Sequence, residues 1–132
     1  ETIIDPRNVA PTGWRVPTEN DWMTLVNFVG TKDNAGHKLK SVEGWSYTGT
    51  TLEGETIEQD FGGTNEFNLS LIPTGFVHIN GNYAQDLQSP YFIPESIASD
   101  LAKYVFAFMG QELGFGGMWK KDGFPIRLIK EF

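Results

Sequence analysis

Gly13-Trp14-Arg15-Val16-Pro17-Thr18-Glu19-Asn20-Asp21-Trp22 turns from strand to helix within one short stretch. Gly13, Trp14 and Val16 suit a strand, and Pro17 ends it because its nitrogen cannot donate to a ladder. Thr18 is a natural N-cap, and Asp21 three residues later makes a capping-box-like start. Glu19 and Asp21 put negative charge at the positive end of the helix dipole. Trp22, Leu25, Val26 and Val29 follow at helical spacing, so one stripe faces a core. Gly30 stands where a helix ends. The stretch predicts a helix over about 19–29.

Outward from it, Asp5-Pro6 and Ala10-Pro11 favour extended or turn geometry in an opening segment. Residues 31–34 read as a polar turn. Ala35-Gly36-His37-Lys38-Leu39-Lys40 fits one or two helical turns with Leu39 inward, and Trp45 reads as a core anchor. Residues 46–65 are polar and acidic without periodicity, which predicts a long loop, functional or mobile. Phe67, Leu69 and Leu71 alternate with Asn68 and Ser70 as in a strand, and a second run covers 76–79. Asn80-Gly81-Asn82 is a hairpin turn signal, and Tyr91-Phe92-Ile93 is another short strand. Residues 97–109 fit a helix through Ile97, Leu101, Tyr104, Val105 and Phe108. They fit a strand equally well through Tyr104, Phe106 and Phe108. Residues 113–119 and 124–129 read as two strands joined by a hairpin turn at Asp122-Gly123. There is no internal repeat and no low-complexity tract.

The 132 residues suit one domain, 1–132, long enough to bury a core. Ten Phe, four Trp and four Tyr supply that core, and fifteen Gly predict many turns. A formal charge of −7 argues against nucleic acid and anionic membrane surfaces as partners, since both need a basic patch. No apolar run is long enough to span a bilayer. The absence of Cys excludes thiol catalysis and cysteine-ligated zinc.

His37 and His78 are the only histidines, without metal-ligand spacing and without a Gly-x-Ser-x-Gly elbow elsewhere. They read as structural or surface residues. Glu53, Glu55, Glu58, Asp60 and Glu66 crowd one segment but match no EF-hand spacing, so a solvated acidic loop is the better reading. Gly114-Phe115-Gly116-Gly117 lacks the Lys-Ser/Thr and the following helix of a phosphate loop and reads as bulged strand or turn. No cofactor and no metal are expected, and a chelator should leave the thermal midpoint unchanged.

The stretch from Asp5 through Thr18, with Asp21-Trp22 and Leu25 after it, closely resembles the Fibrobacter succinogenes major paralogous domain. Further stretches match in order. Ala35-Gly36-His37-Lys38-Leu39-Lys40-Ser41, then Gly44-Trp45, looks like the family's Gly-Lys-Leu-Lys-Ser…Trp segment. Thr64 through Gly75 looks like its Phe-Ser-Ala-Leu-Pro-Gly-Gly strand and turn. Tyr91-Phe92-Ile93-Pro94-Glu95 falls where the family has a Trp-Ser-Ser/Ala-Thr-Glu strand. Gly123-Phe124-Pro125-Ile126-Arg127-Leu128-Ile129-Lys130 is similar to its closing Gly-Phe-Ser-Val-Arg-Cys-Val-Lys. The chain departs from the family at Ala10 and Leu128, where many members have Cys, and near residue 92, where the Trp-Ser pair is missing. It also lacks the family's upstream Trp-Met-Ala-Glu-Asn-Leu-like segment, as a trimmed or shortened member would.

The resemblance implies an α+β, C-type-lectin-like domain: a twisted, mostly antiparallel sheet with one or two helices and long loops. It tips 103–109 toward strand. It also implies an exported or cell-surface protein of Bacteroidetes or relatives, without an established catalytic role; lipoprotein anchoring would come from an upstream signal. Trp14, Trp22, Leu25, Val26, Leu39, Trp45, Leu71, Phe106 and Ile126 are the expected core.

The function expected is a non-catalytic binding or adhesion module with a glycan or surface-protein ligand. A carbohydrate-active hydrolase using two loop carboxylates and a structural module of a larger surface protein are the alternatives. Neither the Glu-Pro-Asn or Gln-Pro-Asp loop nor the Trp-Asn-Asp strand of calcium-dependent lectins is present. Loops 46–66, 80–90 and 110–122 are expected to gather at one end and carry recognition. Trp119, Tyr83 and Tyr47 would offer aromatic faces there, and Asn80, Asn82 and Gln85 neutral donors and acceptors. Trp119 is the sharpest of these, because it lies beside Lys120, Lys121 and a turn rather than in an apolar run.

Overall fold

A computed structural model describes residues 9–84 and 87–131 of the chain. The expected capping box forms. The Asp21 N–H donates to the Thr18 hydroxyl, and the Asp21 carboxylate accepts the Thr18 N–H at 2.8 Å. It starts α1, Glu19–Val29, whose Trp22, Val26 and Val29 are buried. Gly30 ends the helix at φ 152°, and a Cβ there would meet the Asn34 side chain at 2.5 Å. A second helix, α2 (Lys32–Leu39), follows at once. The polar stretch 31–34 is therefore not a free turn. Asn34 Oδ1 accepts the Thr31 N–H, and Asn34 itself is part of the first helical turn.

Among the described residues, four antiparallel sheets complete an α+β fold. β1 (Trp14–Arg15) pairs with β9 (Ile129–Lys130), β2 (Ser46–Thr50) with β3 (Thr56–Asp60), and β4 (Phe76–Val77) with β5 (Tyr83–Ala84). β6 (Ser89–Ser96), β7 (Leu101–Ala107) and β8 (Leu113–Trp119) form a three-stranded meander. Its register sets Tyr91 beside Val105 and Val105 beside Phe115 on one face. Trp22 stacks on Tyr91 at 5.9 Å, and Ala35, Leu39, Trp45, Leu71, Ile93 and Leu113 close the same core. Each large apolar side chain buried there is worth about 1.5–3 kcal/mol.

The Gly36-to-Trp45 segment works as a plug. A Cβ on Gly36 would lie 2.1 Å from the Glu112 carbonyl, so only glycine lets α2 approach β8 this closely. Lys40 is 1% exposed, yet its ammonium donates to the carbonyls of Phe61 (2.5 Å), Phe108 (3.0 Å) and Gly110 (2.9 Å). Burial pushes its pKa down, and the charges of Glu112 and Asp60 oppose that push. The same ammonium sits 4.8 Å from the Trp45 ring centroid. The Trp45 indole donates to the Leu71 carbonyl at 3.0 Å, so the segment holds its neighbours through polar atoms as well as packing.

Several sequence expectations are corrected. Trp14 is 41% exposed, because β1 is two residues long and lies in a surface ribbon. Leu25, Phe106 and Ile126 are half-buried, while Trp22, Val26, Leu39, Trp45 and Leu71 are core. Segment 46–65 is largely a hairpin, closed by the Thr51 N–H to the Glu55 carbonyl at 2.8 Å. It shows no apolar period because it buries neither face. Residues 67–71 are not a strand: Asn68 and Ser70 have φ of 54° and 53°, and the Asn65 side chain accepts the Ser70 N–H at 2.8 Å. That local bonding outcompetes the ladder, leaving one bridge from Leu71 to Lys40. The strand at 76–79 is limited to Phe76–Val77. Asp122-Gly123 does not join two paired strands, since β8 pairs with β7 and only Ile129–Lys130 of the last segment is strand. The choice at 97–109 falls to strand over Leu101–Ala107. The Asp5-Pro6 part of the opening segment lies outside the described residues.

Candidate functional site

Asn80-Gly81-Asn82 makes the predicted turn. Gly81 takes φ 84°, the Gly81 N–H donates to the His78 carbonyl, and the His78 N–H donates to the Asn82 carbonyl, both at 2.8 Å. Asn80 spends its side-chain oxygen on the Asn82 N–H at 3.0 Å. The β4–β5 hairpin so formed is clamped onto the turn after β8. Val77 and Gly123 exchange main-chain bonds of 2.9 and 2.7 Å, and the buried Asp122 carboxylate accepts the Ile79 N–H at 2.8 Å. The turn itself is closed by the Asp122 N–H on the Trp119 carbonyl. Lys120 fixes it to the β6–β7 connection through its main-chain bond to Asp100 and its ammonium on the Ser99 carbonyl.

This clamp brings the hairpin carrying Asn80, Asn82 and Tyr83 against the turn that carries Trp119. Trp119 is 55% exposed and Tyr83 56%. The Tyr83 hydroxyl donates to the Thr74 carbonyl at 2.6 Å, so its ring is held in place. Tyr47 is exposed too, but it belongs to the β2–β3 ribbon, where its ring lies over Gly49. It makes no hydrogen bond or ring contact with the others among the described residues. Gln85 lies outside the described residues.

Sequence reasoning missed an aromatic row that runs from β7 through Phe124 to the β4–β5 hairpin. Phe106 stacks on Tyr104 (5.1 Å), Tyr104 on Phe124 (6.1 Å) and Phe124 on Phe76 (5.4 Å), and His78 meets Phe76 edge-on at 4.6 Å. Burial raises the Tyr104 hydroxyl pKa. Tyr104 sits opposite Gly116 and Phe106 opposite Gly114. A Cβ on those glycines would come within 2.6 and 2.3 Å of the rings. Alternating aromatics facing alternating glycines across one hairpin were the available signal. Strand alternation puts Trp119, opposite Leu101, on the other face of the meander.

The acidic residues do not converge. Glu58 is paired across the ribbon with Thr48, Asp60 accepts the Gly62 N–H, and Glu66 accepts the Thr64 hydroxyl. A different carboxylate pair does meet: Glu19 and Glu95 both contact the Lys103 ammonium, Glu95 at 3.0 Å. Glu95 also accepts the Glu19 N–H, and that bond, then Lys103, holds its carboxyl below the usual range. No group of three or more His, Asp or Glu residues suited to a metal occurs among the described residues.

The Fibrobacter succinogenes major domain family matches residues 1–130. The chain belongs to that family. No curated protein and no solved structure matches it. For this Fibrobacter succinogenes major domain, the motifs that carry the family likeness fall on structure: the Gly36–Trp45 segment supplies buried Leu39, Lys40 and Trp45, and the 64–75 stretch is the loop that meets it through Leu71. Among the described residues, no helix is long and apolar enough to cross a membrane.

Proposed function

We propose that the domain is a non-catalytic binding module displayed outside the cell, with a C-type-lectin-like arrangement and a neutral glycan as ligand. The clamp of the β4–β5 hairpin on the 119–123 turn carries this reading. It fixes the turn that follows exposed Trp119, and on the hairpin clamped to that turn stand exposed Tyr83 and the Asn80–Asn82 turn. Aromatic faces suit the apolar side of a pyranose, amides suit its hydroxyls, and the charge of −7 disfavours anionic ligands. Adjacent β1 and β9 and irregular connections elsewhere support the lectin-like arrangement.

The hydrolase alternative is less supported. A retaining pair needs one carboxyl kept protonated by its surroundings, whereas Glu19 and Glu95 are tied to a lysine and Glu95 is pushed the other way. Trp119→Ala should weaken binding to neutral glycans on an array by about tenfold or more while changing stability by less than about 1 kcal/mol. Unfolding of that variant would place Trp119 in the core and end the reading. Turnover of a chromogenic glycoside that is lost in Glu95→Gln would favour the hydrolase.

A further inference from the structure

Asn80-Gly81, at the tip of the β4–β5 hairpin, is the only Asn-Gly pair in the chain. A main-chain nitrogen can attack the side-chain carbonyl of a preceding asparagine and close a cyclic imide, which makes asparagine a thermolabile residue. The reaction asks for an uncrowded nitrogen, a polarised carbonyl and an amide free to leave. This turn meets those demands. Asn80 and Gly81 are both exposed. Gly81 has no side chain, and no atom beyond its chain neighbours lies within 4 Å of where a Cβ would stand. The Asn80 Oδ1 accepts the Asn82 N–H at 3.0 Å. That donor polarises the carbonyl and stabilises the oxygen as it gains charge in a tetrahedral intermediate. The Asn80 Nδ2 has no hydrogen-bond partner among the described residues. One bond opposes the attack, from the Gly81 N–H to the His78 carbonyl at 2.8 Å. It closes an exposed turn and is lost in each local opening of the tip.

The other described asparagines lack this combination. Asn65 has both side-chain polar atoms engaged with Ser70. Asn20 and Asn27 lie within α1 and Asn34 within α2. Asn68 and Asn82 precede Leu69 and Tyr83, whose side chains crowd the attacking nitrogen.

We propose that Asn80 is a site of spontaneous deamidation, which turns a neutral hairpin tip into an anionic one. Hydroxide takes the Gly81 amide proton, and the nitrogen bonds to the Asn80 Cγ. The bond from Cγ to Nδ2 breaks, and that nitrogen leaves with a proton from solvent as ammonia. Water then opens the imide. Opening at Cγ leaves aspartate at position 80; opening at the main-chain carbonyl leaves isoaspartate, with the chain rerouted through the side chain. Either product adds a negative charge to the hairpin that carries Tyr83. Isoaspartate also lengthens the main chain inside the turn that the His78–Asn82 bond closes. The conversion does not depend on the glycan reading.

Incubation of the folded whole chain at mildly alkaline pH, followed by peptide mapping with fragmentation that localises each site, tests the assignment. Position 80 should gain the mass difference between an amide and an acid and give separable aspartate and isoaspartate products. It should convert at least several-fold faster than Asn65 or Asn68. Gly81→Asn keeps a residue that tolerates the left-handed φ, so it should slow the conversion at Asn80 several-fold with an unchanged melting curve. No conversion at Asn80, or conversion no faster than at Asn65 and Asn68, would overturn the proposal.

Discussion

Residues 36–45 and residues 46–60 adjoin in sequence and solve opposite problems. The first segment buries a lysine, and the second leaves a whole hairpin in water. Lys40 is tolerated inside because three carbonyls take its three protons. The β2–β3 ribbon persists with no buried residue, on its ladder and on the closing bonds at Thr51. Polarity alone therefore predicts neither exposure nor disorder in this fold; what decides is whether each main-chain and side-chain polar group finds a partner.

The contrast is broken most severely at Lys40. Lys40→Met keeps the stem but strands the carbonyls of Phe61, Phe108 and Gly110, and should cost about 3 kcal/mol or more in urea unfolding. A loss under about 1 kcal/mol would mean that packing, not the ammonium, holds the plug. Gly116→Val puts a branched side chain where Tyr104 lies and should cost about 1–3 kcal/mol, visible as a lower denaturation midpoint.

Asp21 gives a smaller, pH-dependent effect. The Arg15 guanidinium, and then the Thr18 N–H and hydroxyl, hold its carboxyl well below the usual carboxylate range, against the opposing effect of burial. A depressed folded pKa contributes stability that is complete above the unfolded value, near about 4, and is lost as pH falls through the folded value. Asp21→Asn should cost about 1 kcal/mol at pH 7, and its stability should fall less steeply than that of the unsubstituted chain below about pH 4. Equal slopes in urea titrations at those pH values would remove Asp21 from the acid response. The smallest effects belong to the ribbon. Ile57→Thr and Leu52→Asp should each stay within about 0.5 kcal/mol, and a larger loss would show that the ribbon packs against something.

The strand-to-helix stretch was legible because its signals are local: a proline, a cap, an apolar stripe and a terminal glycine. Residues 67–71 misled because their alternation is that of a strand while Asn65 bonds the chain into another shape. The role of Lys40 was hidden because its three acceptors come from positions 61, 108 and 110, distant in sequence. The exposure of Trp119 and Tyr83 was legible from their polar and turn-forming neighbours. Their shared support was not, because it depends on Val77 meeting Gly123 across the fold.

The pairing of β1 with β9 has a mechanical meaning. Trp14 and Lys130 lie side by side on antiparallel strands, so tension applied at these two residues falls on this ribbon in the unzipping direction. Its bonds would open one after another, beginning with the Glu131 N–H on the Gly13 carbonyl, and the exposed Arg15–Glu131 contact adds little resistance. The meander and the clamped hairpin would carry no load until that zipper had parted. Under flow or shear, such a module would lengthen first at its base and keep its Trp119 face intact.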